Sequence, residues 1–317
     1  MKIVVLDGYN KNPGDLSWGP LYEMGEVTIY DHTAPEEVLA RMQDAPIVLT
    51  NKVKITAEIM DQNPQLKYIG VTATGFDPVD CAAAKERGIV VTNVPVYGTN
   101  SVAQHIIALL LEITNRVSLH NESVHAGDWC RSQDFCYWKA PLHELDGKTI
   151  AIIGYGRIGQ AAGRMARAFG MKVLAVDTYH IPGHTDATYV ELEEALAQAD
   201  VITLHCGLTA ENKGLICKEN INKMKDGVII LNAARGGLIV EQDLVDALKS
   251  GKVGFAGVDV ISAEPMKKGN VLLEAPNCLI TPHIAGCSIE ARERLLQVSM
   301  DNVKAFLDGN PINVVNR

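Results

Sequence analysis

Short apolar runs punctuate the chain, each closed by a turn residue and followed by a stretch whose apolar positions recur at helical spacing. The first series reads "KIVVLD", "EVTIY", "PIVLT", "KYIGV" and "IVVTN", with "TAPEEVLARMQ" and "DPVDCAAAKERG" among the intervening stretches. Strands that alternate with helices make a parallel sheet, and strands buried on both faces read as continuous apolar runs. After Pro95 the segment "TNSVAQHIIALLLEITNRVSLH" predicts one long helix, with Asn100 or Ser101 as its N-cap. A second series opens at Thr149 with "TIAIIG" and continues through "KVLAVD", "DVITLHC", "GVIILN" and "KVGFAGVDV". The pattern predicts an α/β protein with two doubly wound parallel-sheet domains.

The boundaries fall at residues 1–98 for the first domain and 99–287 for the second. Residues 288–317 hold an amphipathic helix, "IEARERLLQVSMDNVKAFLDG", expected to return to the first domain and complete it. Within the second domain, residues 121–147 depart from the pattern: "NESVHAGDWCRSQDFCYWKAPLHELDG" carries two of the three tryptophans and has no clear period. This segment is read as an arm.

Composition narrows the function. At 317 residues the chain exceeds what one core usually supports, and 47% hydrophobic with 21% charged residues is ordinary for a globular protein. A net charge of -9 argues against nucleic acid or an anionic membrane as partner, since either needs a basic face. No apolar run reaches the roughly 18 residues of a spanning helix, and "MKIVVLDGYN" meets a turn too early for a signal peptide, so a cytosolic location is expected. The seven cysteines are scattered without a C-x-x-C pair, so they are expected to be reduced structural thiols, with neither disulfides nor a metal site.

Three glycines, Gly154, Gly156 and Gly159, stand in G-x-G-x-x-G spacing between a strand and an alanine-rich helix. They permit a tight turn, close approach of a pyrophosphate and close helix packing, with the helix N-terminus facing the anion. The next strand ends in Asp177, near the ~20-residue offset at which a carboxylate takes ribose hydroxyls. A carboxylate there repels a 2′-phosphate, and the following "TYH" supplies no arginine to hold one, so NAD(H) is favoured over NADP(H).

A nicotinamide cofactor implies hydride transfer, and carbonyl reduction needs a proton donor. Three polar residues follow strands on the side where open parallel sheets bind ligands: Arg235 in "NAARGG", Glu264 in "SAEP" and His283 in "TPHIAG". Each alone has a bland explanation in surface pairing or solvation. Together, with glycines beside the arginine and a proline before the histidine, they are placed to serve one site.

At this point the chain resembles the D-isomer-specific 2-hydroxyacid dehydrogenases. The resemblance covers nearly the whole length and rests on "GYGRIG" with Asp177, "LHCGLT", "NAARGGLIVEQDLVDAL", "GVDVISAEP" and "TPHIAG". It implies a flavodoxin-like substrate domain and a Rossmann NAD-binding domain, with the active site in the cleft between them. It implies that Arg235 grips the carboxylate of a 2-oxo or 2-hydroxy acid, that His283 is the proton donor and that Glu264 pairs with it. By the same resemblance, Arg157 and Ile158 face the pyrophosphate, Ala233 and Asp259 the nicotinamide end, and Thr209 the adenosine side; Cys206 and Gly286 fall in cofactor-binding motifs. Gly207 replaces a proline usual in the family, which puts the rigidity of that cofactor loop in doubt.

In "VTATGFDPVD" the small residues Ala73, Thr74 and Gly75 let backbone amides reach the substrate carboxylate from the other domain. Within the family, this segment, "NVPVYGTNSVAQH" and "DFCYWKAPLHELDGKT" are most similar to the glycerate dehydrogenases, which reduce hydroxypyruvate. The expected reaction is reversible NADH-dependent reduction of a small 2-oxo acid, with hydroxypyruvate or glyoxylate favoured. The alternatives are another D-2-hydroxyacid dehydrogenase, of D-lactate, 2-oxoisocaproate or phosphoglycerate type, and an NAD-sensing corepressor-like binding module. The aromatic arm predicts a homodimer, with Trp138 reaching the substrate bound by the neighbouring subunit.

Overall fold

The structure, a computed structural model, describes residues 1–180 and 186–317. The chain divides into two compact units, Met1–Gly98 with Gly286–Arg317, and Thr99–Ala285.

The first unit is built on β1 (Lys2–Val5), β2 (Glu26–Ile29), β3 (Ile47–Thr50), β4 (Tyr68–Val71) and β5 (Val90–Thr92). All pairings are parallel, and the order β2-β1-β3-β4-β5 is that of flavodoxin-like sheets. The interior strands β3 and β4 are buried along their whole length, as their unbroken apolar runs require. The C-terminal helix Ile289–Leu307 covers one face, packing Leu295, Leu296, Met300 and Val303 on Ile3, Ile47 and Leu49. Each of those side chains, fully removed from water, contributes roughly 1.5–3 kcal/mol. Arg292 anchors the helix through a two-pronged bond to Asp15, both N···O distances being 2.6 Å.

The second unit contains β6 (Thr149–Ile153), β7 (Lys172–Val176), β8 (Thr188–Tyr189), β9 (Val201–Leu204), β10 (Val228–Asn232), β11 (Val253–Val258) and β12 (Cys278–Ile280). Their order is β12-β11-β10-β9-β6-β7-β8, again parallel throughout, which is the Rossmann order with one further strand. The chain reverses its direction of travel across the sheet between β6 and β9, so the C-terminal ends of those two strands flank the switch point. Strands β8 and β12 are too short to show a period in the sequence.

Three expectations need correction. The long helix starts at Thr99, so Asn100 and Ser101 lie inside its first turn rather than capping it, and Ser101 Oγ instead donates to Ala285 O at 2.7 Å. That helix stops at Asn115, because Arg116 takes a left-handed conformation (φ 50°) with its guanidinium 5.2 Å over the Phe255 ring. A second helix, Val117–His125, and a short one, Asp128–Arg131, then build the front of the arm, where no period was legible. Finally, not all seven cysteines are structural: Cys130 and Cys136 are exposed on the arm. Among the described residues no helix is long and apolar enough to cross a membrane.

Candidate active site

The glycine turn joins β6 to the helix Arg157–Ala168. Gly154 has φ 94°, and a Cβ there would stand 2.5 Å from the backbone nitrogen of Cys206, so only glycine lets the two loops at the switch point touch. A Cβ on Gly159 would meet Gly154 O at 2.3 Å, whereas one on Gly156 would meet nothing within 4 Å. Two glycines thus serve packing, and the third leaves open space at the helix N-terminus where Arg157 and Ile158 begin the helix. That space and those amides fit a pyrophosphate.

Asp177 follows β7 and turns back to the same place. Its Oδ2 accepts the Tyr155 amide at 2.7 Å, inside the glycine turn, and Oδ1 accepts the Tyr179 amide at 3.2 Å. The carboxylate is therefore held against the glycine turn. Across the switch point, Cys206 stays a neutral thiol because burial pushes it up, helped by the Asp177 charge. His205 packs beside it with Nε2 3.0 Å from Thr203 Oγ1, and burial holds its imidazole down to about 4.

The Gly207 loop is not loose. Asn212 ties it, with Nδ2 donating to Gly207 O at 2.6 Å and Oδ1 accepting the Thr209 amide at 2.7 Å. The expected loss of rigidity is offset by a side chain that sequence reasoning passed over.

Arg235 stands three residues beyond β10. Buried Asn232 shapes the turn: its Oδ1 accepts the Ala234 amide at 3.0 Å and its Nδ2 donates to Arg235 O at 2.9 Å, with Ala233 in between. The next residue, Gly236, lies so close to Ile261 that a Cβ would overlap its carbonyl carbon at 1.9 Å. This contact brings the Arg235 loop against the loop that follows β11, where Glu264 resides.

Glu264 Oε2 lies 2.6 Å from His283 Nδ1, and its Oε1 accepts the Ile261 amide at 3.2 Å. A carboxylate only accepts, so Nδ1 carries the proton and Nε2 faces away from the pair. His283 itself has φ 56°, and that left-handed backbone is held by Asp259. The His283 amide donates to Asp259 O at 2.9 Å; the Asp259 carboxylate, 2% exposed as a residue, takes the Ile284 and Ala285 amides at 2.8 Å each and the Thr281 hydroxyl at 2.6 Å. His105 Nε2 reaches the same hydroxyl at 3.0 Å. Beside its expected place at the nicotinamide end, Asp259 is the buried brace of the His283 loop. Asp259 as a brace, Asn232, Asn212 and His105 are the working residues that sequence reasoning missed.

Ala73–Gly75 belong to the first unit, where Thr74 Oγ1 donates to Val94 O at 2.8 Å and Asn93 Nδ2 to Thr74 O at 2.7 Å. Gly286 opens the C-terminal part of that unit, against the Tyr97 ring. Trp138 is 69% exposed on the arm. Among the described residues no group of His, Cys, Asp and Glu could hold a metal ion.

Comparison with known proteins gives a consistent picture. Residues 107–285 match the family model described as "D-isomer specific 2-hydroxyacid dehydrogenase, NAD binding domain". The chain is 56% identical over 322 aligned positions to the hydroxypyruvate reductase of Blautia hydrogenotrophica, covering 100% of both chains. It is 45% identical over 289 positions to the glycerate dehydrogenase of Methylorubrum extorquens, covering 90% of each. Among solved structures, D-lactate dehydrogenase from Aquifex aeolicus complexed with NAD and lactic acid superposes with a TM-score of 0.85 at 29% identity, covering 100% of this chain and 99% of that one.

Proposed function

Because the chain belongs to the D-isomer-specific 2-hydroxyacid dehydrogenases, we propose that in the cytosol it reversibly reduces hydroxypyruvate to the (R)-2-hydroxy acid, or the related 2-oxo acid glyoxylate to its achiral 2-hydroxy acid. The observation that carries this reading is the Glu264–His283 pair at 2.6 Å, on a loop braced by buried Asp259. Full-length similarity to a hydroxypyruvate reductase supports the substrate.

Gly154, Gly156, Arg157, Ile158 and Gly159 would hold a nicotinamide dinucleotide and Asp177 its ribose hydroxyls; bound there, the cofactor would supply the hydride in reduction and accept it in oxidation. Arg235 binds the substrate carboxylate as a planar two-point pair and orients C2. His283 delivers a proton from Nε2 to the carbonyl oxygen as charge develops there, and Glu264, accepting from Nδ1, fixes the orientation of the ring. In the reverse direction the neutral ring takes the hydroxyl proton.

The arm supports an assembly. Phe135 at 93%, Trp138 at 69% and Trp129 at 51% exposure are costly to leave in water, and a second copy of the chain is the occupant that covers them. In this two-fold dimer Trp138 borders the neighbouring substrate and limits its C3 group. Light scattering that finds a monomer removes the dimer.

Steady-state NADH oxidation with hydroxypyruvate, glyoxylate, pyruvate and 2-oxoisocaproate tests the substrate. The expected order of kcat/KM puts hydroxypyruvate and glyoxylate first, and pyruvate or 2-oxoisocaproate in first place overturns it. Asp177→Ala should weaken NADH more than NADPH. An unchanged preference takes the selector role from Asp177.

A further inference from the structure

Trp138 is exposed, yet both of its chain neighbours are clamped. On one side, the Lys139 amide donates to His120 Nε2 at 3.0 Å, while His120 Nδ1 lies 2.7 Å from Arg116 O. A carbonyl only accepts and an amide N–H only donates, so both bonds exist together only in the neutral Nδ1–H tautomer. The ring is thus a spacer of defined length between the left-handed residue that ends the long helix and the residue after Trp138.

On the other side, Ser123 Oγ donates to Asp128 Oδ2 at 2.6 Å, which commits its proton. The Tyr137 hydroxyl, 2.9 Å from the same Oγ, must therefore donate to it. Asp128 also takes Lys139 Nζ at 2.7 Å and Arg131 at 2.8 Å. The hydrogen bonds from Lys139 and Ser123, then that from Arg131, hold its carboxyl well below the usual range against the opposing effect of desolvation. Residues 137 and 139 are consequently fixed to one helix, Val117–His125, by two independent routes. A backbone fixed on both sides of one residue aims that residue's side chain without touching it. A segment meant only to be solvated has no use for this.

We propose that His120 and Asp128 are positioning residues for substrate selection: they hold Trp138 as a rigid wall against bulky C3 substituents. The inference rests on the reading of Trp138 given above and adds the device that makes it selective. A mobile indole would yield to a larger substrate and discriminate little, whereas a fixed one excludes it.

The test compares hydroxypyruvate with 2-oxoisocaproate by the ratio of their kcat/KM values in the full enzyme. Trp138→Ala tests the underlying reading and should lower the ratio about tenfold or more, the scale at which a pocket rejects added methylenes. His120→Phe should lower it in the same direction, with NADH affinity unchanged, and should add nothing on a Trp138→Ala background. His120→Gln, whose amide oxygen reaches the Nε2 position, should restore most of the ratio; His120→Asn, too short to reach the Lys139 amide, should not. Hydrogen exchange at that amide should be slow in the native protein and fast in His120→Phe.

If Trp138→Ala shifts the ratio but His120→Phe and Asp128→Asn leave it alone, the positioning role is overturned and the reading of Trp138 survives. If Trp138→Ala does not shift it, both fall. Slow exchange at Lys139 in His120→Phe overturns the clamp irrespective of substrate, and the exchange measurement on His120→Asn decides the matter should the phenylalanine variant not fold.

Discussion

The loop carrying His283 and the arm carrying Trp138 solve the same problem, aiming one side chain, in opposite surroundings. The His283 loop hangs on Asp259, whose carboxylate is buried and takes two backbone amides and a hydroxyl. The arm hangs on His120, Ser123 and Asp128, in bonds whose partners reach solvent. Inside, low dielectric makes each bond to a charge strong and its loss costly, so one residue suffices. At the surface each bond competes with water, and several must act together to fix a geometry. Interior bracing therefore couples chemistry to folding, while surface bracing lets selectivity change without endangering the fold.

The largest effect should come from breaking the interior brace. Asp259→Asn keeps the shape but turns an amide N–H toward backbone N–H groups, and should lower unfolding free energy by roughly 2–4 kcal/mol. Chemical denaturation measures this, and kcat should fall with it. A variant that stays as stable as the native protein would falsify the coupling.

Next is the proposed proton donor, His283. Glu264→Gln leaves His283 without the carboxylate that orients its Nδ1–H, and kcat/KM for reduction should drop by about 10- to 100-fold. A rate within about twofold of the native enzyme takes Glu264 out of the pair.

A third test uses acid to separate the two regions. His205 is held neutral by burial at about 4, below its ordinary 6.5, so the unfolded chain binds the extra proton between those values. Stability is then fully present above pH 6.5 and lost as pH falls toward 4. The interval sets a ceiling of about 3 kcal/mol, which the partial exposure of the residue reduces to about 1–2. Asp128, lowered, adds its own slope only at the acid end of the window and below it, where the unfolded carboxyl begins to take up protons. Denaturation curves of His205→Gln should lack that slope; if they retain it, another group is responsible.

The smallest effect sharpens the contrast. Lys139→Met removes the exposed ion pair with Asp128 and should move the melting temperature by no more than about 1 °C, while still lowering the substrate ratio. A large drop in melting temperature would mean that the arm is part of the core after all.

Much of this was legible in the letters. Gly154, Gly156, Gly159 and Asp177 form a local pattern, because a turn, a helix start and the next strand end lie within one βαβ unit. Arg235, Glu264 and His283 announced themselves as charges just past apolar strands. The braces did not. Asp259 acts on amides 25 and 26 residues away, and Asn212 holds the loop that Gly207 had cast in doubt. Backbone amides are the same at every position, so no letter records which of them a carboxylate will meet. The break at Arg116 escaped for a related reason, since a continuous helical period cannot show that a guanidinium will prefer the distant Phe255 ring.

The sequence by itself determined the two sheets, their parallel sense and the glycine turn, because hydrophobic period and turn chemistry act over a few residues and are written in them. Only the tertiary structure decided the order of the strands, the left-handed backbone of His283 and the clamps on either side of Trp138. Those depend on which surfaces remain to be paired once the strands have packed, and that choice is made by the whole chain at once.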